Sequence, residues 1–440
     1  MPSAHRRSLP LPVLLLLTLL CASTGSARVT STGSAQVAST GSARVTSTGS
    51  AHVSIPRAEP VEALASNNLI THGGYAVTRD GRVLEAQALD TAFVPASTIK
   101  LVTCLAALET LGRDYRFATG FFLNEQTLFI RGSGDPTLTS EEVAAIAAEL
   151  ARRGLRQVDG IALDTSLFAL NGKADGAEES ANAYDTANGA LAVNYNAVPL
   201  TVTDDGRVVS GEEETPLLPL MQEIGRRLEP GSHRVNPGAF LAGGTISPTL
   251  RYAGELFRAM LERAGIRVAG RITAARVPAG LQPFYSHSSK KTVEEMVRSC
   301  LHYSNNFLAN QLFLAAGASS LGWPATWDKG RQSMRAYIAA TWPQHRDSIV
   351  MAEGSGLSRR TRITPKAMLA VLDNFRPYAG LLKTRDGIPL KTGSLAGVHC
   401  YAGYLGAADA PDPFVILLNQ PENTRDRLLA RLRQVHAAER

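Results

Sequence analysis

Three short runs, far apart in the chain, carry residue types able to perform acyl transfer: Ser97-Thr98-Ile99-Lys100, Ser304-Asn305-Asn306 and Lys391-Thr392-Gly393. A serine hydroxyl is a weak nucleophile until a neighbour accepts its proton. Lysine can be that acceptor once burial and a second cation lower its pKa, whereas arginine cannot deprotonate usefully. The chain holds eight lysines against 37 arginines, so lysine at both 100 and 391 is informative. Residues three apart share a helix face, which puts Lys100 beside Ser97. A helix opening at Ser97 would also offer backbone N–H groups and a favourable dipole to a developing oxyanion.

Each run alone is weak. A second SxxK starts at Ser288 and a second Ser-Asn-Asn at Ser66; only Lys391-Thr392-Gly393 is unique. Context separates them. Residues 101–108 are so apolar that their helix must be buried, and its first turn can be held rigidly. Ser288 lies in the polar run 286–291, which reads as a solvated loop and helix cap. Ser66 precedes the nucleophile and breaks the order. One motif by itself is better explained as an N-cap or a strand edge; three in order favour catalysis. No GxSxG elbow, Walker loop or dinucleotide glycine motif competes.

The elements that must position these runs follow from periodicity. Residues 75–78 and 82–85 flank Arg79-Asp80-Gly81, a hairpin signature. A helical pattern covers 97–111 and stops at Gly112. Between 116 and 284 short β-like runs (127–131, 200–203, 272–276) alternate with glycine-rich turns, and 140–153 and 249–264 read as helices. A helical pattern resumes at Lys291 and runs to Ala316. The tail reads as a strand at 397–405, a turn at 409–413, a strand at 414–418 and a helix at 424–438. In that last helix Leu428, Leu432 and Val435 form one face, suited to packing on a sheet.

The chain's 440 residues exceed one ordinary domain, and 44% hydrophobic against 19% charged residues excludes wholesale disorder. The net charge of +6 comes without a basic block interleaved with aromatics, which argues against nucleic acid binding and is compatible with an anionic cell envelope. Arg6 and Arg7, the apolar run 11–20 and small residues from Ala22 to Ala27 have the order of a secretory signal, read as 1–26. The apolar run is too short to span a bilayer comfortably, and no other segment looks transmembrane. Leu20 before Cys21 is too large for a lipobox. Residues 23–54 are four tandem octads of small polar residues without a hydrophobic face, so 27–57 reads as a tether. After signal removal Cys104, Cys300 and Cys400 remain, an odd number that leaves at least one free thiol or an intermolecular bond. Their spacing and that of the nine histidines match no metal site, and no cofactor is expected.

With these motifs in place, the chain resembles the D-alanyl-D-alanine carboxypeptidase/endopeptidase family, the class C low-molecular-mass penicillin-binding proteins of peptidase family S13. The resemblance runs from about residue 58 to the C-terminus. Beyond the three motifs it includes Pro95-Ala96-Ser97-Thr98 and Gly132-Ser133-Gly134-Asp135-Pro136-Thr137-Leu138. It further includes Ala190-Leu191-Ala192-Val193-Asn194-Tyr195-Asn196, Gly354-Ser355-Gly356-Leu357-Ser358-Arg359 and Ala402-Gly403-Tyr404. It implies an α+β, β-lactamase/transpeptidase-like catalytic domain, an antiparallel sheet with helices on both faces, built from 58–115 and 285–440 around a β-rich insert at 116–284. The spacing agrees: 207 residues separate the first two motifs and 87 the last two.

The resemblance also implies roles. Ser97 is the nucleophile and Lys100 its general base. Ser304 relays the proton to the leaving amine, and Asn306 binds the substrate peptide. Lys391 supplies positive charge, Thr392 and Ser394 hydroxyls bind the terminal carboxylate, and Gly393 completes that strand motif. Backbone N–H groups of Ser97 and Ser394 form the oxyanion hole. The implied partners are peptidoglycan stem peptides as substrate and β-lactams as covalent inhibitors, in the periplasm or cell envelope. Two positions depart from the family pattern: Ser394 stands for Thr and Glu353 for Asp, each keeping its functional group. A serine β-lactamase is the nearest alternative, but it needs a deacylating Glu between the second and third motifs, and the first Glu after Ser304 is Glu353. A non-catalytic wall-binding scaffold is the alternative of another class, opposed by the intact Ser97, Lys100, Ser304, Asn306 and Lys391.

Overall fold

A computed structural model describes residues 69–438. The signal reading at 1–26, the tether at 27–57 and the second Ser-Asn-Asn at Ser66 lie outside them.

Alternating apolar residues build the central sheet. Phe414, Ile416 and Leu418 point to one face, Val415 and Leu417 to the other, and all five are fully buried. Both faces of the strand Ala410–Leu418 must therefore be covered. The sheet has six antiparallel strands, in the order Lys383–Arg385, Ile388–Leu395, Val398–Ala407, Ala410–Leu418, Gly73–Arg79, Arg82–Gln87. The N-terminal hairpin thus pairs with the last strand of the chain, Tyr75 opposite Ile416. One face packs Tyr75, Tyr401 and Leu390 against Leu428, Leu429 and Leu432 of the helix Arg425–Ala438. The other packs Ala402, Val415 and Leu417 against the helices Lys100–Thr110, Val293–Tyr303, Asn306–Leu321 and Pro365–Phe375.

A second core lies within residues 121–285. A five-stranded mixed sheet runs Ile272–Ala274, Gly160–Asp164, Thr127–Gly132, Ala118–Asn124, Tyr285–Ser288, with helices Ser140–Arg152 and Pro248–Arg263 packed on it. A three-stranded antiparallel sheet follows, Val208–Ser210, Val198–Val202, Gly231–Val235, with the short helix Pro219–Gly225. The region is therefore β-rich with helices where the sequence places them, at 140–153 and 249–264. Residues between 116 and 284 also contribute to the first core, through Phe168, Ala174 and Ala190.

Four local readings need correction. Ser288 ends an edge strand rather than lying in a loop, paired with Ala118. Its neighbour His287 is buried against Glu142 Oε2 at 2.6 Å, so the polar run had an inward-facing member. The helix expected over 291–316 is two helices, broken at Ser304. The turn expected at 409–413 is strand from Ala410, with Pro413 opposite Tyr404. Finally, Ser97 lies in a 3-10 turn, Ala96–Ile99, and the α-helix begins only at Lys100. Cys104, Cys300 and Cys400 are free and buried.

Candidate active site

The turn that carries Ser97 is held from several sides. Ala96 sits at φ 46 with no exposure, a left-handed conformation that costs a non-glycine residue about 1–2 kcal/mol. Such strain persists where the surroundings over-determine it. Asn419 clamps Val94, accepting its N–H at 2.8 Å and donating to its carbonyl at 3.0 Å. Thr98 Oγ1 donates to Pro95 O at 2.8 Å. Two glycines let backbone come within contact of the turn. A Cβ on Gly356, at φ 81, would lie 2.0 Å from Ala96 O, and one on Gly393 would lie 2.6 Å from Pro95 O and 3.2 Å from Ser97 N.

Lys100 comes from the first turn of the buried helix and has no exposed surface. Its Nζ lies 2.8 Å from Ser97 Oγ, 2.8 Å from Asn306 Oδ1 and 2.6 Å from Ser355 O. Burial holds its pKa below the usual lysine range, with Cys300 and then Glu353 pulling the other way. Glu353, itself fully buried, shapes the loop that supplies Ser355 O. It accepts from Ser355 N and Oγ, Gly356 N and Ser358 N at 2.6–3.3 Å.

Ser304 stands where two helices meet. It caps Val293–Tyr303 in a left-handed conformation, φ 52, donating its N–H to Cys300 O, and Asn305 caps the next helix by accepting from Leu308 N at 2.9 Å. That kink carries Ser304 Oγ to within 2.8 Å of Lys391 Nζ, which also donates to Thr392 O at 2.7 Å. Burial, and after it the nearby Lys100 charge, brings the Lys391 pKa down to about 7.

The third motif occupies a sheet edge. The strand Ile388–Leu395 has an outer partner only as far as Leu390, which pairs with Lys383. From Lys391 on, the strand runs past the Ser97 turn, where Gly393 approaches Pro95 O and Ser97 N, a geometry able to receive an extended peptide backbone. Thr392 and Ser394 lie on alternate positions of this strand, and Ser394 is exposed. A cleft of about 1370 Å³ runs past Ser304, Asn306 and Ser394 and is also lined by residues between Thr139 and Arg234, including Tyr195. Of the expected site residues, Ser304, Asn306 and Ser394 line this cleft; Ser97 and Lys100 lie behind it through the Asn306 contact, Lys391 through Ser304, and Thr392 and Gly393 on the strand between Lys391 and Ser394.

Two further residues at this end had no role assigned from the sequence, although Tyr195 lies in one of the runs that carry the resemblance. Tyr195 lies between Asn194 and Asn196, all three at positive φ (46, 59 and 56). The buried Asn194 side chain fixes that turn through Ser140 and Tyr252, and Tyr195 meets Phe307 edge-on. The Asn-Tyr-Asn run was the available signal, since asparagine tolerates left-handed backbone. Arg425 Nη1 lies 2.8 Å from Ser394 Oγ. Nothing near it in the sequence hints at this, because the contact joins residues 31 apart across the sheet.

An antiparallel sheet clad by helices on both faces, with serine–lysine pairs converging at its edge, defines a transpeptidase-like serine peptidase. The chain belongs to the D-Ala-D-Ala carboxypeptidase 3 (S13) family, whose model matches residues 62–224 and 241–389. It is a serine-type D-Ala-D-Ala carboxypeptidase. It is 27% identical over 396 residues to the D-alanyl-D-alanine carboxypeptidase of Actinomadura sp. (strain R39), covering 74% of this chain and 73% of the relative. It is 26% identical over 378 residues to the D-alanyl-D-alanine carboxypeptidase DacB of Haemophilus influenzae, covering 72% and 78%. The crystal structure of penicillin binding protein 4 from Haemophilus influenzae shares the fold, with a TM-score of 0.66 at 20% identity over 83% of this chain and 96% of that one.

Proposed function

We propose that the chain is a penicillin-sensitive carboxypeptidase/endopeptidase of the cell envelope that cleaves peptidoglycan stem peptides through an acyl-enzyme at Ser97. The observation that carries this reading is a fully buried Lys100 with Nζ 2.8 Å from Ser97 Oγ. A buried amine of lowered pKa is populated as a base, which is what the hydroxyl requires.

The steps follow from the geometry. Ser97 Oγ attacks the carbonyl carbon of the penultimate D-Ala while Lys100 Nζ takes its proton. The oxyanion accepts from the backbone N–H groups of Ser97 and Ser394. As the C–N bond breaks, the leaving amine takes a proton through Ser304 Oγ, with Lys391 behind it. Asn306 orients the peptide, and water then cleaves the acyl ester, regenerating Ser97. The division into 58–115 with 285–440 and a 116–284 insert belongs to this reading and is supported by the second core. So does export, supported by the charge and apolar order of residues 1–26.

Slow deacylation distinguishes this reading from a β-lactamase. Glu353 is fully buried with both carboxylate oxygens committed to its own loop, so it has no free edge to activate water. Fluorescent penicillin tests the proposal. The parent and Ser288→Ala should carry a long-lived covalent label and Ser97→Ala none. A label that survives Ser97→Ala would refute the nucleophile, and one that decays within seconds would favour the lactamase.

A further inference from the structure

The resemblance gives the positive charge of the strand motif to Lys391, yet the surroundings of Lys391 suit the binding of a terminal carboxylate poorly. Lys391 is 2% exposed and occupied by Ser304 Oγ and Thr392 O. Its lowered pKa leaves it only partly charged near neutrality. Ser394, on the open side of the same strand, has a different neighbour. Arg425 opens the C-terminal helix and places Nη1 2.8 Å from Ser394 Oγ and 3.1 Å from Gly393 O. Its guanidinium lies over the Tyr401 ring, 4.6 Å from the centroid. Tyr401 is fully buried and anchored through its hydroxyl to Asp426 Oδ1 at 2.7 Å, so the platform under the guanidinium is rigid.

The pairing of nearby charges sharpens the point. Arg385 pairs with Asp426 and Arg427 with Glu422, whereas Arg425 has no carboxylate partner among the described residues, and its buried Nε has no hydrogen-bond partner. Among the described residues a permanent cation without a carboxylate partner thus stands beside a hydroxyl at the cleft lining. Because that hydroxyl accepts from Arg425, its own proton is free to be donated to an anion.

We propose that Arg425, acting with the Ser394 hydroxyl, binds the α-carboxylate of the residue that leaves and so selects substrates with a free terminal acid. The inference rests on the acyl-enzyme reading above and names a specificity-determining residue for it. The planar fork of arginine suits a carboxylate, and the charge persists at any working pH.

The test compares a peptide ending in D-Ala-D-Ala with the same peptide ending in D-Ala-D-Ala amide, using the full chain. In the parent, kcat/KM favours the acid. Arg425→Gln should lower kcat/KM for the acid by about 30-fold, mainly through KM, and leave the amide almost unchanged. Arg425→Lys should recover part of the preference. The parent gives a second reading that needs no variant. With an arginine anchor the acid-to-amide ratio stays level from about pH 6 to about pH 9. A ratio in Arg425→Gln within about twofold of the parent's overturns the proposal, as does a parent ratio that collapses as Lys391 discharges near pH 7. Those results, in a protein that labels with penicillin, count against Arg425 alone; absence of label in the parent would defeat the acyl-enzyme reading along with it.

Discussion

The two serines of the site stand on turns built in opposite ways. Ser97 is held from a distance: Asn419, Gly356 and Gly393, more than 250 residues further along, fix the backbone around it. Ser304 is held by its neighbours, between the end of one helix and an N-cap contributed by the next residue. Both turns need a left-handed non-glycine residue, Ala96 at φ 46 and Ser304 at φ 52. The difference assigns different vulnerabilities. The first turn fails when any of several remote supports is removed, and its failure is one of tertiary packing. The second fails when a local cap is lost.

The lysines behind the serines sharpen the comparison most. Lys100→Arg keeps a charge but removes the base, so acylation by penicillin should fall by about a thousandfold or more. Lys391→Arg keeps what Ser304 needs, a donor and a charge, and should leave measurable turnover with a raised KM. Acylation in the parent should climb with pH, because the free-amine form of Lys100 gains population as pH rises through its lowered pKa. Stopped-flow acylation rates across pH check all three. A Lys100→Arg protein that acylates like the parent would transfer the base role elsewhere.

Next in size is a backbone test of the remote supports. Gly356→Ala puts a methyl 2.0 Å from Ala96 O at a φ of 81 and should cost roughly 3 kcal/mol or more, with loss of penicillin labelling. Gly387→Ala has a similar φ of 79 but nothing within 4 Å, and should cost only about 1 kcal/mol with labelling intact. Denaturant melts and label yield on the two variants separate strain at the turn from strain in general. Equal losses would mean that the close approach to Ala96 is relaxed at no cost.

This contrast also explains what could be read in advance. The hairpin at 75–85, the helices at 140–153 and 249–264 and the buried helix after Ser97 were legible, because period, glycine stops and turn residues are local. The three motifs were legible as types and order. What closes the Ser97 turn was not: nothing in the strings around Asn419 or Arg425 announces partners 325 and 31 residues away. The break at Ser304 is a different omission. Ser304-Asn305-Asn306 is a run that disfavours helix interiors and favours caps, so a stop and restart was written there, but the apolar residues on both sides kept the helical period and hid it.

The smallest effect tests the local turn itself. Asn305 accepts the Leu308 N–H at 2.9 Å and starts the helix Asn306–Leu321. Replacing an Asn N-cap with Ala typically costs about 1 kcal/mol. That helix is almost wholly buried, so the loss should appear as a modest drop in stability rather than as unfolding. The first turn also carries Asn306, whose Oδ1 meets Lys100 Nζ, and the preceding residue is Ser304. Fraying there should move Ser304 relative to Lys391 more than it moves Ser97 relative to Lys100. Asn305→Ala should therefore slow peptide turnover several-fold while penicillin acylation, which relies first on Ser97 and Lys100, changes less. Asn305→Asp preserves the cap and should restore both stability and turnover. If Asn305→Ala instead lowers acylation and turnover equally, the two turns are coupled through Asn306, and the separation between a remotely held nucleophile and a locally held relay does not stand.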